Sequence, residues 1–508
     1  MGMKLLDKQT HIDVLFIAEG TYPFIKGGVS TWIHQIITGM KDLNFGVLFL
    51  GSRPEDYKGV GYELPDNLVY LEAVYLFSEE ENVQRKEAKR ESERVKLLRI
   101  FLDDKAFEEQ WQEVVRFSYF NEVSYEDFLY SKKSWELIEE LYEELEIDVP
   151  FVDYFWTMRN LFAPLFVVAR LGMTLEKKEI GLIHSPSTGY AGFLGSLMSR
   201  EYKIPFIVTE HGIYTKERKI DILNAKWIGI QYRYLSKKYD IDTLRKLWIR
   251  MFVNLGKISY YTAMEVFSLF EDAGKQQIGW GCPPEKTKVI PNGVDVDRLS
   301  KLIEKRPKEI PKVVSLIGRV VAIKDIKTFI KAMSLLCQQL PEAEGWVVGP
   351  EDEEPEYAQE CKELAKILGI ENRIKFLGFQ KIVDTLPKTG VFTLTSISEG
   401  MPMTVLEAMA SGVPCVTTNV GSCMQLIYGG LSQEDVEIGK AGEVVPVGDA
   451  VGLANAYYEL LTNEEIWKNC QRAGLERVQR FYRFDKFIEN YRNVYKKYLG
   501  KQPWRVFL

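Results

Sequence analysis

The sequence predicts an α/β protein built from two doubly wound domains. Short apolar segments rich in β-branched residues alternate with amphipathic helical segments, which is typical of parallel sheets with helices on both faces. At 508 residues the chain is also too long for one hydrophobic core, since single cores rarely exceed about 250 to 300 residues. The strand pattern starts again near residue 312, so we expect a second domain similar to the first.

The strands follow one another in two sets. In the first domain we predict strands at residues 12–18, 45–50, 68–74, 181–184, 205–210 and 258–263. In the second domain we predict strands at residues 312–318, 345–349, 373–378, 391–396, 414–419 and 442–447. A turn-rich, charged stretch beginning at Pro291 separates the two sets, which places the domains at residues 1–293 and 294–483.

Two further segments lie outside this alternation. Residues 78–150 are dense in charge and helix formers, and we interpret them as a helical insertion in the first domain. The insertion is either a solvated helical surface without chemistry or an acceptor-side lid or docking surface. Residues 484–508 form a C-terminal helix and tail, and the spacing of Phe487, Tyr491, Val494 and Tyr498 predicts that this helix packs back on the first domain.

Composition excludes several functions. The formal net charge of −7 argues against nucleic acid as a partner, and the six scattered cysteines indicate reduced thiols rather than disulfides or a metal site. The apolar run at 12–18 is too short to span a membrane, and the run at 161–173 is interrupted by Pro164 and Arg170. We therefore expect a cytoplasmic protein with no transmembrane segment of its own.

The first candidate binding loop is AEGTYPFIKGGVSTW, between a predicted strand and a helix that begins near Ser30. Gly27 and Gly28 allow the backbone to approach a ligand closely, and the free N–H groups of a helix start favour an anion such as a phosphate. His211 follows another strand of the same domain, so we expect it at the same edge of the sheet.

The second domain carries two candidate loops. After the strand at 312–318 come Arg319 and Lys324, a planar cation and a compact one, which suit a diphosphate leaving group. After the strand at 391–396, Glu399 precedes a helix that we expect to begin at Pro402, with Glu407 inside it. The free N–H groups of Met401, Met403 and Thr404 are then available to a ligand.

Five motifs together resemble the family 4 glycosyltransferases. They are GGVS at 27–30, TEHG at 209–212, VIPNGVD at 289–295, GRVVAIKD at 318–325 and SEGMPMTVLEAMASGVPCVTTNVG at 398–421. The resemblance implies the GT-B fold, in which two Rossmann-like domains face a cleft. It also implies transfer of a sugar from a nucleotide-sugar donor, with retention of the anomeric configuration and without a bound metal ion or other cofactor.

The resemblance implies roles for the candidate residues. Glu399 binds the donor-sugar hydroxyls, Glu407 binds the ribose hydroxyls, and Arg319 and Lys324 hold the diphosphate. His211 lies beside the sugar, and it counts with Glu399, Arg319 and Lys324 as a catalytic residue. The remaining donor-binding positions are Gly27, Gly28, Phe379, Gln380, Gly400, Met401, Pro402, Met403 and Thr404.

The N-terminal opening and the helical insertion are similar to the branch of this family that serves Pel exopolysaccharide synthesis. That similarity implies a UDP-sugar donor, UDP-glucose first and UDP-N-acetylgalactosamine second, and a carbohydrate acceptor. It also implies inner-membrane exopolysaccharide synthase proteins as partners, which would hold the chain at that membrane from the cytoplasmic side. Three alternatives stay open, namely a nucleotide-sugar 2-epimerase, a sugar phosphorylase and a non-catalytic UDP-sugar-binding subunit of a membrane synthase.

Overall fold

The computed structural model describes residues 3–77, 88, 90–145, 147, 149–225, 228 and 243–500. The chain divides into two compact units. Unit 1 comprises Met1–Ser268, Gly274–Lys288 and Tyr491–Leu508, and unit 2 comprises Leu269–Ala273 and Val289–Asn490. Each unit is built around its own sheet.

The sheet of unit 1 has eight strands in the described part of the chain, in the order β1-β4-β3-β2-β5-β6-β7-β8. They are β1 Met3–Asp7, β2 His11–Glu19, β3 Phe45–Gly51, β4 Leu68–Tyr75, β5 Glu179–Ser185, β6 Phe206–Glu210, β7 Glu265–Ser268 and β8 Thr287–Val289. The strands from β4 to β7 in this order are parallel, whereas β1 pairs antiparallel with β4. Strand β3 is buried along its whole length, as expected inside a parallel sheet covered on both faces.

One strand predicted for unit 1 is wrong. Residues 258–262 are the last residues of a long helix, Thr243–Thr262, and not a strand. The side chains that this helix buries at helical spacing include Leu247, Met251, Leu255 and Ile258. The prediction missed this spacing because it considered only the short run of β-branched and aromatic residues. The strand of this region comes immediately afterwards as β7, and β1 and β8 were not predicted at all.

Helices cover the sheet of unit 1 and fill the insertion. They are α1 Gly28–Gly39, α2 Asp104–Val114, α3 Phe117–Glu122, α4 Tyr125–Tyr130, α5 Lys132–Glu144, α6 Phe151–Thr174, α7 Tyr190–Tyr202, α8 Tyr214–Asn224, α9 Thr243–Thr262 and α10 Glu271–Gly279. Short 3-10 helices occupy Pro54–Asp56, Glu93–Phe101 and Pro284–Lys286. Residues 78–87, 89, 146 and 148 of the predicted insertion lie outside the described residues.

The helical insertion shares the hydrophobic core of unit 1. Phe128 packs its ring against Phe162 and Phe166 of α6. Asn254 of α9 donates from Nδ2 to the carbonyl oxygens of Ile100 and Phe101 at 3.1 and 3.2 Å. The insertion is therefore not a solvated decoration, because its apolar side chains are part of the same buried cluster as the sheet and its covering helices.

The sheet of unit 2 has six parallel strands among the residues described, in the order β11-β10-β9-β12-β13-β14. They are β9 Val313–Ile317, β10 Glu344–Val348, β11 Ile374–Phe376, β12 Val391–Leu394, β13 Cys415–Thr418 and β14 Gly442–Val445. All six agree with the predicted strands to within two residues at each end. This order, with β9 and β12 side by side at the point where the strand numbering reverses, is that of a doubly wound sheet.

In the part of the chain that the structure describes, ten helices follow in and after unit 2, most of them between the strands of its sheet. They are α11 Val296–Leu299, α12 Ile326–Gln339, α13 Pro355–Ile367, α14 Ile382–Thr385, α15 Met403–Ala410, α16 Cys423–Tyr428, α17 Gln433–Glu437, α18 Ala450–Thr462 and α19 Glu464–Phe481, followed by α20 Phe484–Leu499. Short 3-10 helices occupy Ser300–Lys305, Ala322–Lys324 and Leu386–Lys388. From Tyr491 onward, α20 belongs to unit 1.

The buried face of α20 differs in one position from the predicted one. Phe487, Tyr491 and Tyr498 are buried as the spacing predicts, but Tyr495 is buried where Val494 was expected. A helix advances by 3.6 residues per turn, so both 494 and 495 lie close to the face that 491 and 498 define. The aromatic ring is the side chain that reaches the core.

Candidate active site

Two neighbouring strands of unit 2 end at the same edge of the sheet and bring two candidate loops together. Strand β9 leads into residues 318–325, and strand β12 leads into residues 395–402. The loops are joined by backbone contacts, because the N–H of Ile397 donates to the carbonyl oxygen of Ile323 at 2.9 Å. Thr395 Oγ1 adds a hydrogen bond to the carbonyl oxygen of Lys324 at 2.8 Å.

This junction places Lys324 beside Glu399. Lys324 Nζ lies 2.5 Å from Glu399 Oε1, and Ser396 Oγ donates to the same oxygen at 2.6 Å. The two charged side chains are only 21% and 15% exposed, so solvent screens their attraction less than it would on an open surface. A cation and a carboxylate therefore stand in direct contact at the edge where doubly wound sheets bind ligands.

Arg319 lies on the same loop but points to a different partner. Its Nη1 is 2.5 and 2.6 Å from the two carboxylate oxygens of Glu353, and the Arg319 side chain is 56% exposed. The next acidic residue, Glu354, accepts the N–H of Ala322 at 2.9 Å. Sequence reasoning missed these acidic partners, although the run EDEE follows β10, the strand next to β9.

Helix α15 opens beside Glu399 without a capping side chain. Pro402 is its N-cap and Met403 its first helical residue, so the helix begins one position later than predicted, and the first turn holds no acidic residue. The helix ends at Ala410, and Gly412 terminates it with a positive φ of 69° and an N–H that donates to the carbonyl oxygen of Met409. The uncapped start leaves N–H groups near Glu399 that suit an anionic ligand.

Glu407 is held inside α15 in a desolvated position. Burial raises the pKa of its carboxyl group to about 7, and the positive charge of Arg298 opposes that shift only in part. Within the described ranges, no hydrogen bond to the Glu407 carboxylate is found, whereas its carbonyl oxygen accepts bonds from Ser411. A half-buried carboxylate without a hydrogen-bond donor is a candidate to accept hydroxyl groups of a ligand.

Phe379 and Gln380 follow β11 at the same edge of the sheet. The Phe379 ring is 76% exposed, and Gln380 Nε2 donates to the carbonyl oxygen of Leu377 at 2.9 Å. An exposed ring at a strand end is available to stack on a flat ligand.

In unit 1, the paired glycines stand at the start of α1. Gly27 is the N-cap and Gly28 the first helical residue, with no side-chain cap and no acidic residue in the first turn. A Cβ atom at either glycine would meet nothing within 4 Å, so the backbone is open on this side. This arrangement suits the close approach of a ligand that the sequence predicted.

His211 follows β6, and its ring is fixed by Trp32 of α1. The two ring centroids are 4.8 Å apart in an edge-on arrangement. Burial lowers the pKa of His211 to about 3, so the imidazole is neutral near pH 7. The buried Nε2 atom has no hydrogen-bond partner among the residues that the structure describes.

His211 also lines a cavity of about 820 Å³ in unit 1. Aromatic and charged side chains share the wall, which sequence reasoning did not identify. They include Glu19, Arg53, Tyr57, Tyr190, Tyr214, Arg218, Trp248 and Phe252. Tyr214 donates from its hydroxyl group to Glu19 Oε1 at 2.6 Å, which fixes one part of the wall.

The described residues contain neither a cluster typical of a metal site nor a membrane-spanning helix. No group of three or more His, Cys, Asp or Glu side chains in these ranges has the arrangement of a metal site. No helix among them is both long and apolar enough to cross a membrane.

Comparison with known proteins gives matches for both units. Residues 12–285, more than half of the chain, match the family model described as Domain of unknown function (DUF3492). Residues 299–477 match the model Glycosyl transferases group 1.

Curated relatives and solved structures agree with these models. N-acetyl-alpha-D-glucosaminyl L-malate synthase of Bacillus anthracis is 34% identical over 134 residues, which is 26% of this chain and 33% of that enzyme. An uncharacterized glycosyltransferase of Methanocaldococcus jannaschii is 30% identical over 297 residues, 52% of this chain and 72% of the relative. The chain thus spans about a third of the length of the Bacillus relative.

A solved structure with a similar fold is that of Anabaena Alr3699/HepE in complex with UDP and glucose. The TM-score is 0.57 at 17% sequence identity, and the match covers 97% of this chain and 100% of that one. At this identity the likeness shows the fold alone, and that fold is GT-B. The chain therefore belongs to the DUF3492 family over residues 12–285 and to the glycosyl transferases of group 1 over residues 299–477.

Proposed function

We propose that this protein transfers a sugar from a UDP-sugar to a growing polysaccharide, with retention of the anomeric configuration and without a bound metal ion. UDP-glucose is the first donor we propose and UDP-N-acetylgalactosamine the second. The observation that carries the proposal is the contact of Lys324 with Glu399 beside the uncapped start of α15. The complex of HepE with UDP and glucose supports the choice of base and sugar, since that protein shares the fold.

The donor residues have separate roles. Glu399 accepts hydroxyl groups of the donor sugar, and Glu407 accepts the ribose hydroxyls. Lys324 and Arg319 bind the diphosphate, for which Lys324 exchanges part of its contact with Glu399 and Arg319 exchanges Glu353 for phosphate oxygens. A carboxylate and a phosphate present similar oxygens to a guanidinium group, so the second exchange conserves the geometry of the contact.

The other donor positions complete the pocket. Gly400, Met401, Pro402, Met403 and Thr404 line the sugar and phosphates, and Phe379 and Gln380 lie near the base. Gly27 and Gly28 approach the phosphates with their backbone. His211 contacts the sugar through its neutral imidazole.

The chemical step is a substitution on one face of the sugar. The bond between the anomeric carbon and the β-phosphate oxygen breaks, and the acceptor oxygen forms its new bond on the same face. A phosphate oxygen of the leaving UDP takes the proton of the acceptor hydroxyl. The protein positions the reactants and stabilises the negative charge that grows on the diphosphate, which is the role of Arg319 and Lys324.

We assign the cavity of unit 1 to the carbohydrate acceptor. Its wall combines aromatic faces, such as Tyr57 and Trp248, with charged groups such as Glu19 and Arg53. Flat rings pack on the apolar faces of sugars, and charged oxygens and nitrogens bind their hydroxyl groups. As a biological setting we propose Pel exopolysaccharide synthesis at the cytoplasmic side of the inner membrane, with synthase proteins of that membrane as partners.

The direct test is a calorimetric binding panel of UDP-, GDP- and ADP-sugars on the purified protein, followed by a transfer assay. We expect UDP-glucose to bind most tightly and Lys324→Ala to weaken its binding by about tenfold or more. Lys440→Ala is the matched control, because Lys440 is also paired with a glutamate of unit 2, Glu443. A clear preference for a GDP- or ADP-sugar would overturn the donor assignment.

The same assay separates the alternatives. An epimerised donor sugar, detected by NMR without acceptor, would indicate a nucleotide-sugar 2-epimerase. Transfer that requires inorganic phosphate or pyridoxal phosphate would indicate a phosphorylase. Tight UDP-sugar binding without any transfer to a supplied acceptor would indicate a non-catalytic subunit, and loss of activity with a chelator would contradict metal independence.

A further inference from the structure

A buried chain of polar side chains runs from the last helix to the centre of unit 1. The hydroxyl group of Tyr495 lies 2.9 Å from His184 Nδ1, and His184 Nε2 lies 2.8 Å from Thr209 Oγ1. The hydroxyl group of Tyr491 is 3.3 Å from the same Thr209 oxygen. All four side chains are fully buried, so helix α20 is tied to β5 and β6 by hydrogen bonds inside the core.

Trp32 extends this chain to His211. Its indole ring stands edge-on to the rings of Tyr491, His184 and His211, at centroid distances of 5.3, 5.4 and 4.8 Å. Edge-on aromatic pairs are favourable contacts with a defined geometry. Trp32 is only 2% exposed, and it lies in α1 shortly after Gly28.

This cluster differs from ordinary core packing. Buried polar groups lower stability unless they are hydrogen-bonded, and both ring nitrogens of His184 are. His211 Nε2 is buried without a hydrogen-bond partner among the described side chains and backbone groups. An unsatisfied buried nitrogen lowers the stability of the folded protein, and here it belongs to a ring that lines the large cavity.

We propose that Trp32 and Tyr491 are positioning residues that hold the His211 imidazole in one orientation at the cavity wall. Trp32 packs against the ring directly, and Tyr491 fixes Trp32 from the side of the last helix. The catalytic consequence rests on the proposed glycosyl transfer, whereas the orientation of the ring does not.

Trp32→Phe tests the proposal, because a smaller ring cannot keep the edge contacts with both His211 and Tyr491. We expect kcat to fall about tenfold or more, while the Kd of UDP-glucose changes less than about twofold. Tyr491→Phe keeps the ring and removes only the hydroxyl group, so we expect a smaller decrease of kcat in the same direction. Wild-type kcat in both variants would overturn the proposal.

Trp467→Phe is the matched control. Trp467 is also buried, and its Nε1 donates to the carbonyl oxygen of Gly390 in unit 2 at 2.7 Å. Measured below its unfolding temperature, this variant should keep the wild-type kcat although it loses some stability. An equal loss of kcat in Trp32→Phe and Trp467→Phe would show that lost stability explains both, and would overturn the positioning role.

A second readout does not depend on activity. The chain has four histidines, so imidazole nitrogen signals are few enough to assign by NMR after histidine labelling. In the wild type we expect His211 to stay neutral from about pH 8 to about pH 5. The titratable groups around it include His184 of β5 and, across Trp32, Tyr491 of α20. The cavity that His211 lines adds charged and phenolic groups from other elements, namely Glu19, Arg53, Tyr57, Tyr190, Tyr214, Glu217, Arg218 and Asp221.

In Trp32→Phe we expect the His211 signals to shift and the pKa of His211 to move toward about 6.5, because the smaller side chain leaves the imidazole more accessible to water. Unchanged His211 signals would overturn the proposal whatever the activity. If the wild type neither binds nor transfers any UDP-sugar, the proposed function fails, and the NMR result still decides whether Trp32 positions His211.

Discussion

Glu407 shows how far the structure changes what the sequence suggests about a single residue. From the sequence it is a polar residue in an apolar helix, which is compatible with a solvent-facing position. The structure places its carboxyl group in a desolvated setting with a pKa of about 7 and with no hydrogen-bond donor among the described residues. Such a residue weakens the ligand-free protein, and proteins commonly keep such a feature where a ligand uses it.

We predict opposite effects of Glu407→Gln on stability and on binding. The folded state holds the Glu407 proton to about pH 7, whereas the unfolded chain releases it near the reference value of 4.5, so this residue lowers stability as pH rises through that window. The variant should therefore unfold at a higher temperature than the wild type above pH 7, with a smaller difference at lower pH. UDP should bind about tenfold more weakly, because a neutral amide replaces the charged acceptor.

Thermal unfolding as a function of pH and calorimetric titration with UDP check both effects. Glu465→Gln, on the exposed first turn of α19, is the control and should change neither. A variant that is less stable than the wild type at pH 8, or that binds UDP normally, contradicts the assignment of Glu407.

Arg319 provides the second prediction at this scale. Arg319→Ala should leave the chain folded, because the guanidinium group is exposed. Under the proposed mechanism its charge stabilises the leaving diphosphate, so we expect sugar transfer to fall by orders of magnitude. Arg480→Ala removes an arginine of unit 2 that is also exposed and paired with a glutamate, Glu434, and it should leave transfer unchanged. Initial rates at saturating donor measure the effect, and near-normal rates in Arg319→Ala would exclude its catalytic role.

Among the elements, the loop before α15 is shaped by a glycine of the next connection. Gly421, after β13, has a φ of 52°, and the N–H of the next residue, Ser422, donates to the carbonyl oxygen of Gly400 at 2.9 Å. A Cβ atom at Gly421 would lie 2.1 Å from the carbonyl oxygen of Gly400, and backbone cannot yield as a flexible side chain can. The position of Glu399 therefore depends on a residue more than twenty positions away.

We predict that Gly421→Ala displaces the Glu399 loop and lowers both donor affinity and transfer by at least about tenfold. Gly448→Ala is the control, since Gly448 also has a positive φ, 79°, but a Cβ atom there would meet nothing within 4 Å. Both substitutions strain the backbone, because both positions have a positive φ. The difference in donor affinity between the two variants therefore measures the effect of the clash with the Gly400 carbonyl oxygen. Equal donor affinities in calorimetry would contradict this explanation.

Elements also show where local patterns failed. In unit 2, all six strands were predicted, because each is a short apolar run closed by turn residues. In unit 1, the run ISYYTA has the composition of a strand but ends helix α9. What decides its conformation is the buried face that begins with Leu244, and a window of six residues does not contain that periodicity.

At the scale of the whole molecule, each unit has its own hydrophobic core, and the last helix contributes to the core of unit 1. Tyr491, Tyr495, Tyr498 and Leu499 are buried. Full burial of an apolar side chain contributes roughly 1.5–3 kcal/mol, so these residues make a large contribution to the stability of unit 1.

We predict that a chain ending after Asn490 unfolds in two steps, with the transition of unit 1 at a markedly lower temperature than in the full chain and that of unit 2 nearly unchanged. Differential scanning calorimetry measures both transitions, and limited proteolysis assigns them. Lys496→Ala, at an exposed position of helix α20, is the control and should unfold like the wild type. Equal shifts of both transitions would contradict the assignment of Tyr491 onward to unit 1.

The sequence by itself determined the fold class and the positions of most strands along the chain. It also determined the helical character of the insertion and the loops in which charged residues cluster. Those features depend on neighbouring residues, through apolar runs, helical spacing and turn glycines. Only the tertiary structure decided that Lys324 contacts Glu399, that Arg319 forms an ion pair with Glu353, and that Trp32 packs against both His211 and Tyr491. These contacts link residues far apart in the chain, and burial and electrostatics act through space, so only the folded arrangement shows which groups meet.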